Sequence, residues 1–379
     1  MGITVVETGG WGGIGHYAHC LCSALQDAGE PVRLLTHARN YALESLPKSY
    51  EVVKIFQGDG FFSDWKRLYA AWKKQPNEIV HFQSLLSTRR DWLMFWSARY
   101  FFPRTKLILT SHNVLPHEVL PGEKKAYRLL YKRVAGLIVH SEASRNALRS
   151  LMGPNVKTPV TVIPHGHYGD LVRSNDLTRS AALALLGLPR NRYIVFFGTI
   201  RPYKGVDTLL QAIGGLSKWP TDFKVLIAGK LAAGVTKKEL YRLRDELGIH
   251  ERVILKLDYL PESSIPAIFA IADLIVLPYR KIDQSGILMA AIAAGRPVLC
   301  TPVGAFPEVV NSDIGFLAED SSVPSLTEAL AQALRQRHVW ANMGAEALRT
   351  SRLHYSWSDI AKKTLRFYKS LEIHPDHIL

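Results

Sequence analysis

Short apolar runs alternate along this chain with stretches of helical spacing. Residues 3–6, 32–36, 78–82, 106–110 and 136–141 are rich in Val, Ile and Leu, and each is bounded by polar or turn residues. They read as buried strands. Between the first two, residues 16–25 have helical spacing and Gly29 closes the helix. Residues 142–151 read as a further helix, and 161–166 as a strand and turn. A polar hinge is expected over about 168–180. The pattern then restarts. Strands are expected at 193–197, 223–228, 253–256, 273–277 and 298–301, with helices at 206–216, near 236–247, near 262–270 and at 287–294. A final helix is expected at about 357–371.

Strands alternating with helices on this scale imply parallel, doubly wound sheets. There are two such sets, so the class is α/β, with one domain over 1–170 and another over 178–355. Each set opens on a glycine-bearing loop. The first follows strand 3–6 and reads Gly-Gly-Trp-Gly-Gly-Ile-Gly over residues 9–15. Through Gly13 and Gly15 it would let the backbone approach a phosphate at a helix N-terminus. It lacks the dinucleotide spacing, and no acidic residue closes the next strand, which argues against a nicotinamide cofactor. A plain glycine-rich connection is the alternative.

Length and composition set broad limits. A chain of 379 residues has room for two domains, and 47% hydrophobic with 21% charged residues is an ordinary globular composition. Cys20, Cys22 and Cys300 are too few for a disulfide framework, and Cys20-x-Cys22 lacks zinc spacing. They read as buried thiols in a reducing, cytoplasmic setting. No basic region precedes the first strand, so no signal peptide is expected. No apolar run is long enough to span a bilayer.

Charge narrows the partners. Lys and Arg total 47 against 33 Asp and Glu, a net +14, and residues 1–165 carry +9 of it. Such a balance suits nucleic acid, an anionic membrane or phosphorylated substrates. Nucleic acid is not expected, because no recognised motif is present. In residues 89–104, Trp92, Phe95, Trp96 and Arg99 fall at helical spacing, as in a helix lying in a membrane interface. Residues 123–133 add a basic amphipathic helix. An anionic membrane surface, on the inner face of the plasma membrane, is therefore one candidate partner. The alternative is that Trp92 and Phe95 pack inside the domain.

The chemistry concentrates in 283–308. Asp283-Gln284-Ser285-Gly286 leads into a small-residue helix, which Gly295 and Pro297 end before an apolar strand. A loop entering a helix leaves N–H groups free for an anionic or hydroxyl-rich ligand. With Gly295-Arg296-Pro297-Val298 and Gly304-Ala305-Phe306-Pro307-Glu308, this stretch resembles the signature region of family 4 retaining glycosyltransferases of the GT-B fold. The resemblance implies two Rossmann-like domains facing a deep cleft, the last helix crossing back to the first domain. The N-terminal domain would take the acceptor and the C-terminal one a nucleotide-sugar donor.

What the resemblance implies can be carried over residue by residue. Lys204, in a Lys-Gly pair, and Arg201, displaced because Thr199 holds the usual arginine position, would grip the leaving diphosphate. Asp283 would accept hexose hydroxyls, with Gln284, Ser285, Gly286 and Ile287 around the sugar and phosphate. His112, after strand 106–110, would contact the donor sugar; by itself it would read as an ordinary loop residue. Tyr259 lies near the expected base position. Ala291 replaces the glutamate that holds the ribose, so Glu308 or a water would take that task. The implied activity is retaining hexosyl transfer to a lipid-linked or membrane-borne glycan, without a catalytic metal or cofactor. A phosphorylase or epimerase of the same fold is one alternative. Ala291 and Thr199 suggest another, a sugar-nucleotide binding or scaffold protein without turnover.

Overall fold

The computed structural model describes residues 2–10, 12–40, 48–74, 79–83, 88–116, 119–154, 156–172 and 177–371. The side chains of 88–91 and 94 lie outside that description, as do Trp11 in the first glycine loop, Glu78 at the expected start of a strand, and part of the expected hinge.

The chain divides into two compact units. One is Met1–Gly166 with Tyr355–Leu379, the other His167–His354. The first contains β1 (Ile3–Val6), α1 (Gly12–Asp27), β2 (Val32–His37), β3 (Glu51–Phe56), α2 (Phe61–Lys74) and β4 (Ile79–Gln83). It continues with α3 (Thr88–Phe101), β5 (Lys106–Thr110), α4 (Glu123–Tyr131), β6 (Gly136–Val139), α5 (Glu142–Met152) and β7 (Val160–Val162). Among the described residues these strands form one sheet in the order β3-β2-β1-β4-β5-β6-β7. Every pairing in it is parallel.

The second unit opens with α6 (Gly169–Val172), α7 (Arg179–Leu186), β8 (Arg192–Phe197), α8 (Val206–Gly214), β9 (Phe223–Ala228) and α9 (Lys237–Glu246). Next come β10 (Val253–Lys256), α10 (Ile265–Ile271), β11 (Ala272–Leu277), α11 (Gly286–Ala293) and β12 (Val298–Cys300). It closes with α12 (Phe306–Val309), β13 (Gly315–Leu317), α13 (Val323–Arg335) and α14 (Trp340–His354). Its sheet, also parallel, runs β10-β9-β8-β11-β12-β13. Residues 167–170, expected in the first domain, belong here because α6 packs on α10 and α11.

In each sheet the strand order reverses once, between β1 and β4 and between β8 and β11. Doubly wound sheets take ligands at the carboxyl ends of such strands. The strands around the reversal are buried on both faces, hence their continuous Val, Ile and Leu runs. In the first unit one face of the sheet is covered by a core that includes Trp72, Phe95, Leu130 and Leu148. The other is covered by Tyr17, Leu21 and Leu25 of α1, together with Ile360, Ala361 and Tyr368 of α15 (Trp357–Ser370). Gly136 and Gly166 leave room for Phe367 and Trp357; a Cβ on Gly136 would lie 2.7 Å from the Phe367 ring. The C-terminal helix is therefore a structural member of the first unit.

Two side-chain expectations change. Phe95 is buried in the core, and Trp92 and Trp96 pack against it, so the aromatics named for a membrane interface point inward. The exposed apolar positions are others: Phe62 on α2, and Leu93, Tyr100 and Phe101 on α3. Cys22 and Cys300 are buried, but Cys20 is only half-buried.

Candidate functional site

In the second unit, β8 delivers the chain to Gly198 and then to a loop tied down on several sides. Ile200 donates to Lys230 O at 2.8 Å. Arg201 precedes a single 3₁₀ turn, Pro202–Lys204, and Gly205 follows in the left-handed region at φ 65°. A Cβ on Gly205 would run into the Pro278 carbonyl oxygen, so only glycine lets this loop lie against the end of β11. Arg280 staples the loop from that side. Its backbone N–H donates to Tyr203 O at 2.7 Å, and its guanidinium to Pro202 O at 2.9 Å and to Asp207 and Thr208 at 2.6 Å.

This scaffold aims one cation at a helix start. The Lys204 Nζ lies 5.1 Å from the centre of the Tyr279 ring. Gly198, lacking a Cβ, makes room where Lys204 Nζ and Ile287 approach: a Cβ there would lie 3.3 Å from the former and 3.6 Å from the latter. Burial first, and the Arg201 guanidinium second, push the Lys204 ammonium down to about 8. It stays charged at neutral pH, but in surroundings that favour an added anion. Ile287 is in the first turn of α11, whose cap is Ser285; its hydroxyl accepts from Leu288 N–H at 3.4 Å. The amides of Gly286 and Ile287 precede the first capped one, at the positive end of the helix dipole. Gln284 Oε1 is buried and has no hydrogen-bond partner among the described residues, an acceptor left for a donor from outside. The Asp283 carbonyl accepts from Ala305 N–H at 3.0 Å, which ties the start of this loop to the turn before α12.

The first unit treats its glycine loop differently. The carboxylate of Glu7, fully buried, accepts from Gly9 N–H at 2.8 Å, Gly10 N–H at 2.9 Å and Thr36 Oγ1 at 2.9 Å. Glu7 thus takes up the amides of Gly9 and Gly10, ahead of Gly13 and Gly15, the two expected to meet a phosphate. α1 begins at Gly12, so Gly13 and Gly15 belong to its first turn rather than to an open loop. His112, after β5, is buried beside His140, His165 and Tyr17, with ring centres 4.8, 6.3 and 4.6 Å away. Burial, with help from the neighbouring imidazoles, holds His112 far below the ordinary histidine range.

Of the predicted residues, the structure brings Arg201, Lys204, Ser285, Gly286 and Ile287 together, with Gln284 and Asp283 adjoining in the chain. Tyr259 and Glu308 are exposed, on the loop after β10 and on α12. Ala291 is buried in α11. His112, Gly13 and Gly15 lie in the other unit. Arg280, Tyr279, Glu7, His140 and Gln83 were not foreseen. A cavity of about 330 Å³ lined by Arg179, Arg190, Arg192 and Asp222 lies at the amino end of β8, opposite the loop that carries Lys204. Among the described residues no cluster of His, Cys, Asp and Glu could hold a metal ion.

Two doubly wound parallel units in tandem, the second aiming a lysine at a helix start where its strand order reverses, define a GT-B protein. The family models agree. "Glycosyl transferases group 1" matches residues 186–350 and "Glycosyltransferase Family 4" residues 11–167. The chain belongs to this glycosyltransferase family. It is 25% identical to O-antigen chain mannosyltransferase B of Escherichia coli, covering 91% of this chain and 99% of that one. It is 26% identical to a D-inositol 3-phosphate glycosyltransferase of Corynebacterium glutamicum, covering 78% and 73%. Among solved structures, Anabaena HepE in complex with UDP-glucose shares the fold at TM-score 0.78 and 18% identity, over 98% of this chain and all of that one. Sucrose-phosphate synthase from Thermosynechococcus elongatus does so at TM-score 0.77 and 17% identity, over 98% and 99%.

Proposed function

We propose that this glycosyltransferase moves a hexosyl unit, with retention of configuration, from a nucleotide-diphosphate sugar to a lipid-linked or membrane-borne glycan. The observation that carries the reading is Lys204, its charge destabilised by burial and aimed at the first turn of α11. In the transfer, the bond from the anomeric carbon to the phosphate oxygen breaks and a bond to an acceptor oxygen forms on the same face. The acceptor proton passes to the departing phosphate. Lys204 and Arg201 hold the charge that develops there, aided by the Gly286 and Ile287 amides. Asp283 and His112 receive hexose hydroxyls, and a donor group of the ligand meets Gln284 Oε1. Glu308 or a water takes the ribose in place of a side chain at Ala291. No catalytic metal or cofactor enters.

The acceptor class rests on neighbours and on surface chemistry. The Escherichia coli relative bears an O-antigen name, and WaaG, of the same fold at TM-score 0.66 and 17% identity over 99% of this chain and all of that one, is described as involved in lipopolysaccharide biosynthesis. No helix among the described residues is long and apolar enough to cross a membrane. Phe62, Leu93, Tyr100 and Phe101 are exposed on α2 and α3, and Lys124, Lys125, Arg128, Lys132 and Arg133 on or just after α4. Aromatic and basic residues in this combination suit an anionic membrane surface.

Thermal shifts against UDP-, GDP-, ADP- and dTDP-sugars test the donor site. A ligand that binds only the folded state raises its melting temperature. Stabilisation by one nucleotide class, absent in Lys204→Ala, is expected and would name the base. No shift with any of them would sink the assignment; binding without transfer to any glycolipid would favour the scaffold alternative.

A further inference from the structure

His112 sits in a chain of buried polar groups whose protons can be placed one at a time. At one end, His140 Nδ1 lies 2.9 Å from the Ile163 carbonyl oxygen. A carbonyl only accepts, so this nitrogen carries a proton. A neutral imidazole has one proton, so His140 Nε2 is bare. It lies 3.1 Å from His112 Nδ1, which must then be the protonated nitrogen of His112. His112 Nε2 is bare in turn, yet it lies 3.3 Å from Gln83 Oε1, while Gln83 Nε2 lies 3.2 Å from His81 Nε2. An amide oxygen cannot meet a bare nitrogen, and the two ends of an amide exchange by a half-turn about its last bond. The proton order fixed at Ile163 therefore requires Gln83 turned over, its N–H toward His112 and its oxygen toward His81. His81 is therefore protonated on Nε2, which also donates to Thr110 Oγ1 at 2.6 Å. Its bare Nδ1 takes the hydroxyl proton of Tyr368, on α15, at 2.6 Å. The opposite sense fails at Ile163, where a bare nitrogen would face a carbonyl, unless His140 were a buried cation. Burial pushes His140 down to about 4, which excludes that at neutral pH.

We infer that His140, Gln83, His81 and Tyr368 are positioning residues for His112, holding it neutral with its proton on Nδ1 and with Nε2 as an acceptor. All the members are buried: Tyr368, His81 and Gln83 at no more than 1% exposure and His112 at 2%. The Gln83 link to His112, at 3.3 Å, is the longest of the chain. It is the one a ligand displaces with least loss. A ligand group taking its place must donate, so the site calls for a sugar hydroxyl at that point and rejects fluorine there. This last step rests on the reading of His112 as a donor-sugar contact; the proton placement does not.

Histidine-labelled ¹⁵N protein tests it. Long-range ¹H–¹⁵N spectra at neutral pH, assigned by single His→Gln substitutions, should show Nδ1–H for His112 and His140 and Nε2–H for His81. His112 protonated on Nε2, or on both nitrogens, would overturn the inference. His140→Phe removes the anchor at Ile163. The remaining chain should then reverse, His112 to Nε2–H and His81, two links beyond, to Nδ1–H. An unchanged His81 would also overturn it, since packing alone does not carry a proton assignment through Gln83. Should His140→Phe not fold, Gln83→Glu gives the second arm. Its carboxylate accepts from both sides, so His112 should keep Nδ1–H, held by His140, and gain a proton on Nε2 while His81 stays on Nε2–H; a His112 that loses Nδ1–H counts against the chain. If the tautomers reverse in His140→Phe and sugar transfer is unaffected, the proton chain stands and the role of His112 in transfer falls.

Discussion

The two units carry a glycine loop at comparable points of their topology, after β1 and after β8, and fill it in opposite ways. The first supplies its own anion: Glu7 accepts from the amides of Gly9 and Gly10. The second supplies a cation, Lys204, over Tyr279 and next to the start of α11. In the first loop, Gly9 and Gly10 are satisfied from within. A loop whose lysine charge is depressed by burial gains when an anion arrives. Glycine content alone does not separate the cases; the charged residue that folds onto the loop does.

The largest expected effect is at the cationic loop. Lys204→Ala should lower kcat/KM for transfer by about 10²–10³-fold, the scale of losing one preorganised stabiliser of developing charge. A loss under threefold would remove Lys204 from the chemistry. Next is Glu7→Ala, which strips three donors of their partner. Urea denaturation should show a loss of about 2–4 kcal/mol. The emptied loop should also gain stabilisation from sulfate that the parent protein lacks, and equal sulfate responses would break the comparison.

Acid should separate the units further. Burial holds His81 and His165 near 3 and His140 near 4 in the folded state. The unfolded chain protonates them near 6.5. Their neutral burial therefore costs nothing above about 6.5, and stability falls as pH drops from there toward 4, because the unfolded state takes up more protons. Hydrogen exchange at pH 5 against pH 7 should show β4, β5 and β6 losing protection before β8 and β11. The smallest effect concerns Lys204 itself. Only its protonated form attracts a diphosphate, so affinity for a nucleoside diphosphate should fall as pH rises through 8, by up to about tenfold per unit. Calorimetric affinities that stay level to pH 9.5 would contradict the depressed ammonium.

Much of this fold was legible, for a physical reason. Parallel strands buried on both faces are runs of Val, Ile and Leu, and β1, β5, β9 and β10 fall where those runs predict. β3 and α2 went unforeseen: β3 is buried only at Ile55 and Phe56, and α2 at three positions, so neither imprints a strong pattern. At the site, Lys204 and Ser285 to Ile287 were readable because a loop and a helix start are local. The Glu7 contact with Thr36 and the Tyr368 bond to His81 were not, since their partners stand 29 and 287 positions apart in the chain. Arg280 was not singled out, because its targets, Pro202, Asp207 and Thr208, lie more than seventy residues earlier.

The place of α15 bears on how the protein is made. Ile360, Ala361 and Tyr368 complete a core begun by Ile3 and Val5, while the entire second unit is encoded between them. A ribosome adding about 5–20 residues per second needs on the order of ten seconds or more to cross that interval. Through it, the α15-facing side of the nascent first unit waits uncovered, and the second unit can finish first. The core begun at the start of the chain is thus completed only by its last helix, and a stop codon ahead of Trp357 would be felt at the opposite end of the polypeptide.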